Sequence, residues 1–269
     1  MASIGSGGAS GSGDSGQARE RLLGASDPAP VEALNPLGTA SFLLVADHAG
    51  RLVPQTLGTL GLGEADPSRH IAWDIGVAAL GKALAMRLDA VLISQRYSRL
   101  VIDCNRHPER ADAIPATSDG TPIPANEALT STERAARVAE IHAPYHAAIG
   151  AELARRDAAG VRTVVVALHS FTPQMDGFAR PWHAGVLYGG GDESFARVAL
   201  ARLTAALDAP VGDNQPYAMD GIDYTVPQHC FGAGRAYVEF EVRQDLLGDA
   251  AGIERWAGIL AGVLRATRT

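Results

Sequence analysis

Residues 162–169 read RTVVVALH, and Ser170 follows His169. An unbroken apolar run of this length, rich in valine, describes a strand buried on both faces, and the abrupt change to His and Ser puts polar groups at its carboxyl end. The same pattern recurs outward along the chain. Ala40 to Ala46 (ASFLLVA) ends in Asp47, His48, Ala49 and Gly50, while Ala90 to Ser94 (AVLIS), Leu100 to Asp103 (LVID), Ala184 to Tyr188 and Ala236 to Val242 read as further strands. Helical spacing of Ile75, Leu80, Leu84 and Leu88 predicts a helix within the segment from about Ile71 to Leu88. Thr130 to Arg156 opens with Thr130, Ser131, Thr132 and Glu133, a capping signature, and predicts a long helix broken before Pro144. Helices are also expected near Glu193 to Leu207 and Ile253 to Arg265. Strands alternating with helices predict an α/β fold: a single domain with a mixed, mainly parallel sheet flanked by helices.

That domain is expected over residues 36–269, with residues 1–35 as a disordered tail that includes the Gly/Ser/Ala-rich run Ser3 to Gly16. The run has neither the basic start nor the apolar core of a secretory signal. Thirty acidic against 23 basic residues leave a net charge of -7, which argues against a nucleic-acid binder held by phosphate contacts. No apolar stretch approaches the roughly 20 residues needed to span a bilayer, so no membrane role is expected. Two cysteines, Cys104 and Cys230, are too few for a disulfide scaffold and fit a reducing, cytoplasmic setting, although a single bridge between them stays open. Asp112 to Asn126, rich in Pro, Asp and Gly, is expected to be a functional loop and a lid.

Ligands of open α/β sheets bind beyond the carboxyl ends of the strands. Three runs meet that requirement here, ending in His48, ending in His169, and carrying Glu239 and Glu241. Zinc in a hydrolase commonly takes two histidines and a carboxylate and keeps a fourth position for water. His48 and His169 form the ligand pair on this reading, with the carboxylate drawn from Asp47, Asp74, Asp103 or a glutamate. Arg99, Asn105 with Arg106, Arg180 and Arg243 are placed to hold an anionic substrate, each with a structural ion pair to a nearby aspartate as its alternative. Ser170 lacks a GxSxG elbow, Cys104 lacks a base at defined spacing, and Gly189 to Gly191 lacks a phosphate-binding pattern, so none of these carries a competing site.

Taken in order, DHAG (47–50), HIAWDIG (70–76), YSRLVIDCNR (97–106), LHSFTP (168–173), RPW (180–182), DNQPY (213–217) and EVRQDLL (241–247) resemble the N-formylglutamate amidohydrolase family, over about residues 38–267. The resemblance implies the phosphorylase/hydrolase-like fold shared with zinc carboxypeptidases and aspartoacylase. It also implies one zinc ion, a small anionic N-acyl amino acid as substrate, and hydrolysis of N-formyl-L-glutamate to formate and L-glutamate. By the more distant likeness to carboxypeptidases, His169-Ser170 matches the strand-end pair that supplies a zinc ligand, Glu241-Val242-Arg243 the strand that supplies the general base, and Asn105-Arg106 the pair that grips a substrate carboxylate.

One departure matters. The carboxypeptidase His-x-x-Glu would place a glutamate where Arg51 stands. Asp74, one loop later, is the expected carboxylate ligand, with helix capping as its alternative and His70 as the reserve ligand. Asp47 is expected to orient an imidazole. Glu241 is the expected base, and Glu239, two residues away on the same strand face, is the one carboxylate that could exchange roles with it. Arg99 is expected at the oxyanion, Asn105 and Arg106 at the α-carboxylate, Arg180 at a second carboxylate, and Arg243 also at the substrate. Two alternatives remain: a hydrolase of the same fold acting on another N-acyl amino acid or small peptide, and a non-catalytic ligand-binding protein in which Arg51 replaces a ligand.

Overall fold

The computed structural model describes residues 21–267. Its strands are β1 (Val31–Leu34), β2 (Phe42–Ala46), β3 (Val91–Gln95), β4 (Thr117–Ser118), β5 (Thr121–Pro122), β6 (Val164–Phe171), β7 (Gln174–Met175), β8 (Phe178–Ala179), β9 (Ala184–Leu187), β10 (Val211–Asp213) and β11 (Tyr237–Arg243). Its α-helices are α1 (Val77–Leu88), α2 (Ser131–Arg137), α3 (Ala143–Ala158), α4 (Ser194–Ala206) and α5 (Ala250–Thr267). Seven strands form one mixed sheet in the order β1-β3-β2-β6-β11-β9-β10, and β4-β5 and β7-β8 are separate hairpins. β3, β2, β6 and β11 run parallel, β1 is antiparallel at one edge, and β9 is antiparallel to β11 with β10 parallel to it. This is the expected α/β domain.

The central strands are buried because both of their faces are apolar, as a sheet covered by helices requires. β2 aligns Val45 with Ala167 of β6, and β6 aligns His169 with Glu241 of β11. Three neighbouring strands therefore deliver their polar ends to one edge of the sheet. No helix of the described residues is long and apolar enough to cross a membrane. Cys104 and Cys230 are both free and buried, so no bridge joins them.

The break before Pro144 is a π-helical turn, Val138–His142, between α2 and α3. The expected capping box is present: the Thr130 hydroxyl accepts from the Glu133 backbone N–H at 3.2 Å, and the Glu133 carboxylate accepts from the Thr130 N–H at 2.8 Å.

Three expectations are corrected. Residues 31–34, assigned to the tail, form edge strand β1, and Leu22 is buried in the core with its N–H and that of Leu23 donated to the Glu140 carboxylate at 2.9 Å each. The domain thus includes residues well before 36, and residues 1–20 lie outside the described part. A half-exposed strand such as VEAL carries no apolar run by which sequence could reveal it. Leu100 to Asp103 is not a strand but a buried turn, with Val101 N–H donating to the Ser98 carbonyl at 2.9 Å. Its apolar residues face the core without a strand neighbour. Residues 112–126 are not one irregular loop, since they contain the β4-β5 hairpin.

Candidate metal centre and cleft

His48 and Asp74 are docked together through the backbone, where the Asp74 N–H donates to the His48 carbonyl at 2.9 Å. Gly50 lets the DHAG turn close against the end of β3: a Cβ there would lie 2.0 Å from the Arg96 carbonyl oxygen. His169 arrives from the adjoining strand. One ligand atom each from His48, Asp74 and His169 lie within 4.8 Å of one another, and all three residues are buried. Asp74 Oδ2 is 3.5 Å from His48 Nδ1 and 3.1 Å from His169 Nδ1. It also accepts the Ser170 backbone N–H at 3.2 Å.

The residues present fit a zinc ion. His48 Nδ1 is buried with no hydrogen-bond partner while facing Asp74, and two imidazoles with one carboxylate match the donor set of a hydrolytic zinc site. The opposite edge of the His48 ring is held as such a site requires, and that of His169 faces two carboxylates without a hydrogen bond. His48 Nε2 donates to Asp103 Oδ1 at 2.7 Å, and His169 Nε2 faces Asp47 Oδ2 at 3.6 Å and Glu239 Oε1 at 4.0 Å. Asp103, weighed from sequence as a ligand, instead orients one. The signal for it lies in the chemistry, since a metal-bound imidazole needs an acceptor for its outer N–H.

Burial works against charge throughout this cluster. For Asp103 it is outweighed by Arg99 and His48, which hold the carboxyl well below its ordinary value. Asp74 is likewise lowered against burial by His48 and His169. His169 is raised, the surrounding Glu239, Asp47 and Asp74 overcoming desolvation. Burial pushes Glu239 and Glu241 up to about 8. Both glutamates line a cleft of about 340 Å³ that opens over the three-residue centre.

The expected substrate-binding residues divide. Arg99 lines the cleft, with Nε and Nη2 donating to Asp103 Oδ2 at 3.1 and 2.7 Å and Nη1 3.6 Å from Asp74 Oδ1. Arg106 and Asn105 line it too, but the Asn105 amide is engaged with its neighbours: Oδ1 accepts the Tyr224 and Thr225 N–H groups at 3.0 and 2.9 Å, and Nδ2 donates to Asp223 Oδ1 at 3.1 Å. Arg180 is buried with no carboxylate within ion-pair distance among the described residues. It stacks 4.8 Å from the Tyr217 ring and donates to the Tyr217 hydroxyl at 3.1 Å. Tyr217, quoted in DNQPY but given no role from sequence, is the member of this pair that lines the cleft.

Arg243 is a correction, because its guanidinium forks onto Asp245 at 2.8 and 3.2 Å and does not line the cleft. The acid two residues ahead captures it as β11 leaves the sheet. His70 is also outside the ligand cluster, 3.5 Å from Asp119, because residues 70–76 turn instead of forming a helix. Gly76, not Asp74, caps α1. Arg51 is exposed and stacks 5.1 Å from the Trp73 ring, so its place in the sequence leaves the three-residue centre whole.

Known proteins compare as follows. The family profile described as N-formylglutamate amidohydrolase matches residues 40–247. The crystal structure of a gene product from Agrobacterium tumefaciens is similar with a TM-score of 0.89 and 36% identity, covering 92% of this chain and 98% of that one. An N-formylglutamate amidohydrolase from Ralstonia eutropha is similar in fold with a TM-score of 0.64 and 19% identity, covering 90% of this chain and 98% of that one. No curated protein sequence matches the chain.

Proposed function

Because the chain belongs to the N-formylglutamate amidohydrolase family, we propose that its cleft hydrolyses the amide bond of an N-acyl amino acid, with N-formyl-L-glutamate as substrate and formate and L-glutamate as products. The observation that carries this reading is the convergence of His48, Asp74 and His169 beside a buried glutamate pair at the carboxyl ends of adjoining strands. His48, Asp74 and His169 would hold one zinc ion, which supplies Lewis acidity to the acyl oxygen and a water whose pKa falls to about 7.

Glu241 acts as the base. It accepts the proton of the attacking water and returns it to the leaving nitrogen when the C–N bond breaks, a transfer that suits a carboxyl whose affinity for protons is raised by burial. Arg99 keeps Asp103 charged, and its Nη1, the end not bonded to Asp103, is offered to the developing oxyanion. Arg106 takes the α-carboxylate from the cleft wall, while Asn105 sets that wall by holding residues 223–225. Arg180 and Tyr217 favour a second carboxylate, since a buried guanidinium with no carboxylate in ion-pair contact raises the affinity of its surroundings for an anion.

Formate release from N-formyl-L-glutamate tests this directly. Zinc-loaded protein is expected to turn over and chelated protein is not, with activity returning on zinc addition. A zinc-loaded protein that releases no formate would remove the formylglutamate assignment and direct the assay to other N-acyl amino acids.

A further inference from the structure

Five of the chain's eight histidines play no part in the centre or in His70's contact with Asp119, and three of these meet behind the cleft wall. His142 closes the π-helical turn and His146 lies one turn further along α3. Insertions of this kind widen a helix locally and re-aim the side chains after it. Here both rings point at the same strip of backbone. His146 Nε2 lies 2.9 Å from the Cys104 carbonyl oxygen, and His142 Nε2 lies 3.0 Å from the Arg106 carbonyl oxygen.

A carbonyl oxygen only accepts, so each of these rings carries its proton on Nε2. Neutral His146 then presents a lone pair at Nδ1. His229 Nε2 is 3.1 Å from that atom and must supply the proton for the third bond. The His229 and His146 rings lie edge to edge and nearly coplanar, as that bond requires, with centroids 5.3 Å apart and planes 19° apart, and the Tyr224 ring closes the side at 4.9 Å. Burial lowers the proton affinity of all three imidazoles, in agreement with the neutral forms that this geometry demands.

The strip they hold joins two parts of the site. At one end Asp103 Oδ1 accepts both the His48 Nε2–H at 2.7 Å and the Asn105 backbone N–H at 2.8 Å. At the other end are the Asn105 amide, which fixes residues 223–225, and the Arg106 side chain on the cleft wall. We infer that His146, its tautomer set by His229, and His142 are positioning residues that fix the Cys104–Arg106 backbone and so align Asp103 behind His48 with Arg106 at the substrate. This rests on the reading above, in which the His48 centre and Arg106 serve amide hydrolysis.

Long-range 1H–15N spectra of wild-type protein labelled with 15N-histidine test the geometry without any assay. His146 and His229 are expected to be neutral at neutral pH with the proton on Nε2. A His146 that is doubly protonated or protonated only at Nδ1 overturns the inference. In kinetics, His146→Leu is expected to lower kcat/KM roughly tenfold to a hundredfold, and His146→Gln, whose amide can still donate to the Cys104 carbonyl, to restore it to within about threefold of wild type. An unchanged kcat/KM in His146→Leu, or equal losses in both variants after correction for folded fraction, would refute the positioning role. A wild-type protein inactive on every N-acyl amino acid would remove the hydrolase reading instead, and the tautomer spectra would still decide the inference.

Discussion

Glu241→Gln keeps the shape of the cleft and removes the proton acceptor, so kcat is expected to fall by about two orders of magnitude or more. Zinc content should be unchanged, since Glu241 is outside the ligand group; zinc loss in this variant would show that the glutamate binds metal. Glu239 supplies the control: if Glu239→Gln alone loses activity to this extent, the two carboxylates exchange roles. Asp103→Asn exchanges a carboxylate for an amide behind His48 and is expected to weaken zinc roughly tenfold to a hundredfold in competition with a chromogenic chelator. The pH dependence follows from the same residues. Burial raises Glu239 and Glu241 from 4.5 to about 8, and His48 and His169 are also raised, their carboxylate neighbours overcoming desolvation. All four bind a proton more tightly when folded, so in metal-free protein their stabilisation is complete below the unfolded pKa values and is lost as pH rises through the folded ones. Of these four, zinc competes with protons only at His48 and His169, and it binds better as those protons leave. Melting temperatures of chelated and zinc-loaded protein should therefore diverge as pH climbs from 4.5 toward about 8; parallel curves would contradict this account.

Among the elements, the β4-β5 hairpin borders the cleft through Ser118 and Asp119. Asp119 at its turn binds Arg69 at 3.2 Å, and Thr121 accepts from Arg69 at 2.6 Å. Arg69→Ala is expected to speed proteolysis within residues 115–123 and to raise KM, while a substrate analogue slows cleavage of the wild-type hairpin. Absence of protection would count against its closing over the cleft. Thr130→Ala removes the capping box of α2 and is expected to cost about 1 kcal/mol in urea unfolding. How much of the molecule is legible in the sequence also differs by element. Buried parallel strands are continuous apolar runs, so RTVVVALH and ASFLLVA deliver His169 and His48 by position, and alternation along β11 puts Glu239 and Glu241 on one face. The edge strand VEAL and the short β10 lack that run, and LVID has it without a sheet neighbour. Asp74 is reached through a family motif, but its place beside His48 comes from a main-chain bond across a loop. The pairings of Asp103 with His48 and of His146 with Cys104 are tertiary, and no local pattern encodes them.

For the molecule as a whole, zinc binding to the folded state alone should appear as stability. At a free concentration about a thousand times the dissociation constant the gain is about 4 kcal/mol, or roughly 10 °C in melting temperature for a domain of this size. A melting temperature that ignores zinc would mean that the three-residue centre does not take the ion. The strand order has a further bearing, on synthesis. β11 is the last of the described strands to leave the ribosome, yet it lies between β6 and β9 in the finished sheet. Until residues 237–243 emerge, the half built on β3, β2 and β6 and the half built on β9 and β10 have no shared strand, and each exposes an apolar edge to aggregation. His48, Asp74 and His169 therefore all precede the strand that closes the sheet around them. A chain halted short of β11 would have His48, Asp74 and His169 but neither Glu239 nor Glu241, and its open sheet edges would make it a substrate for chaperones.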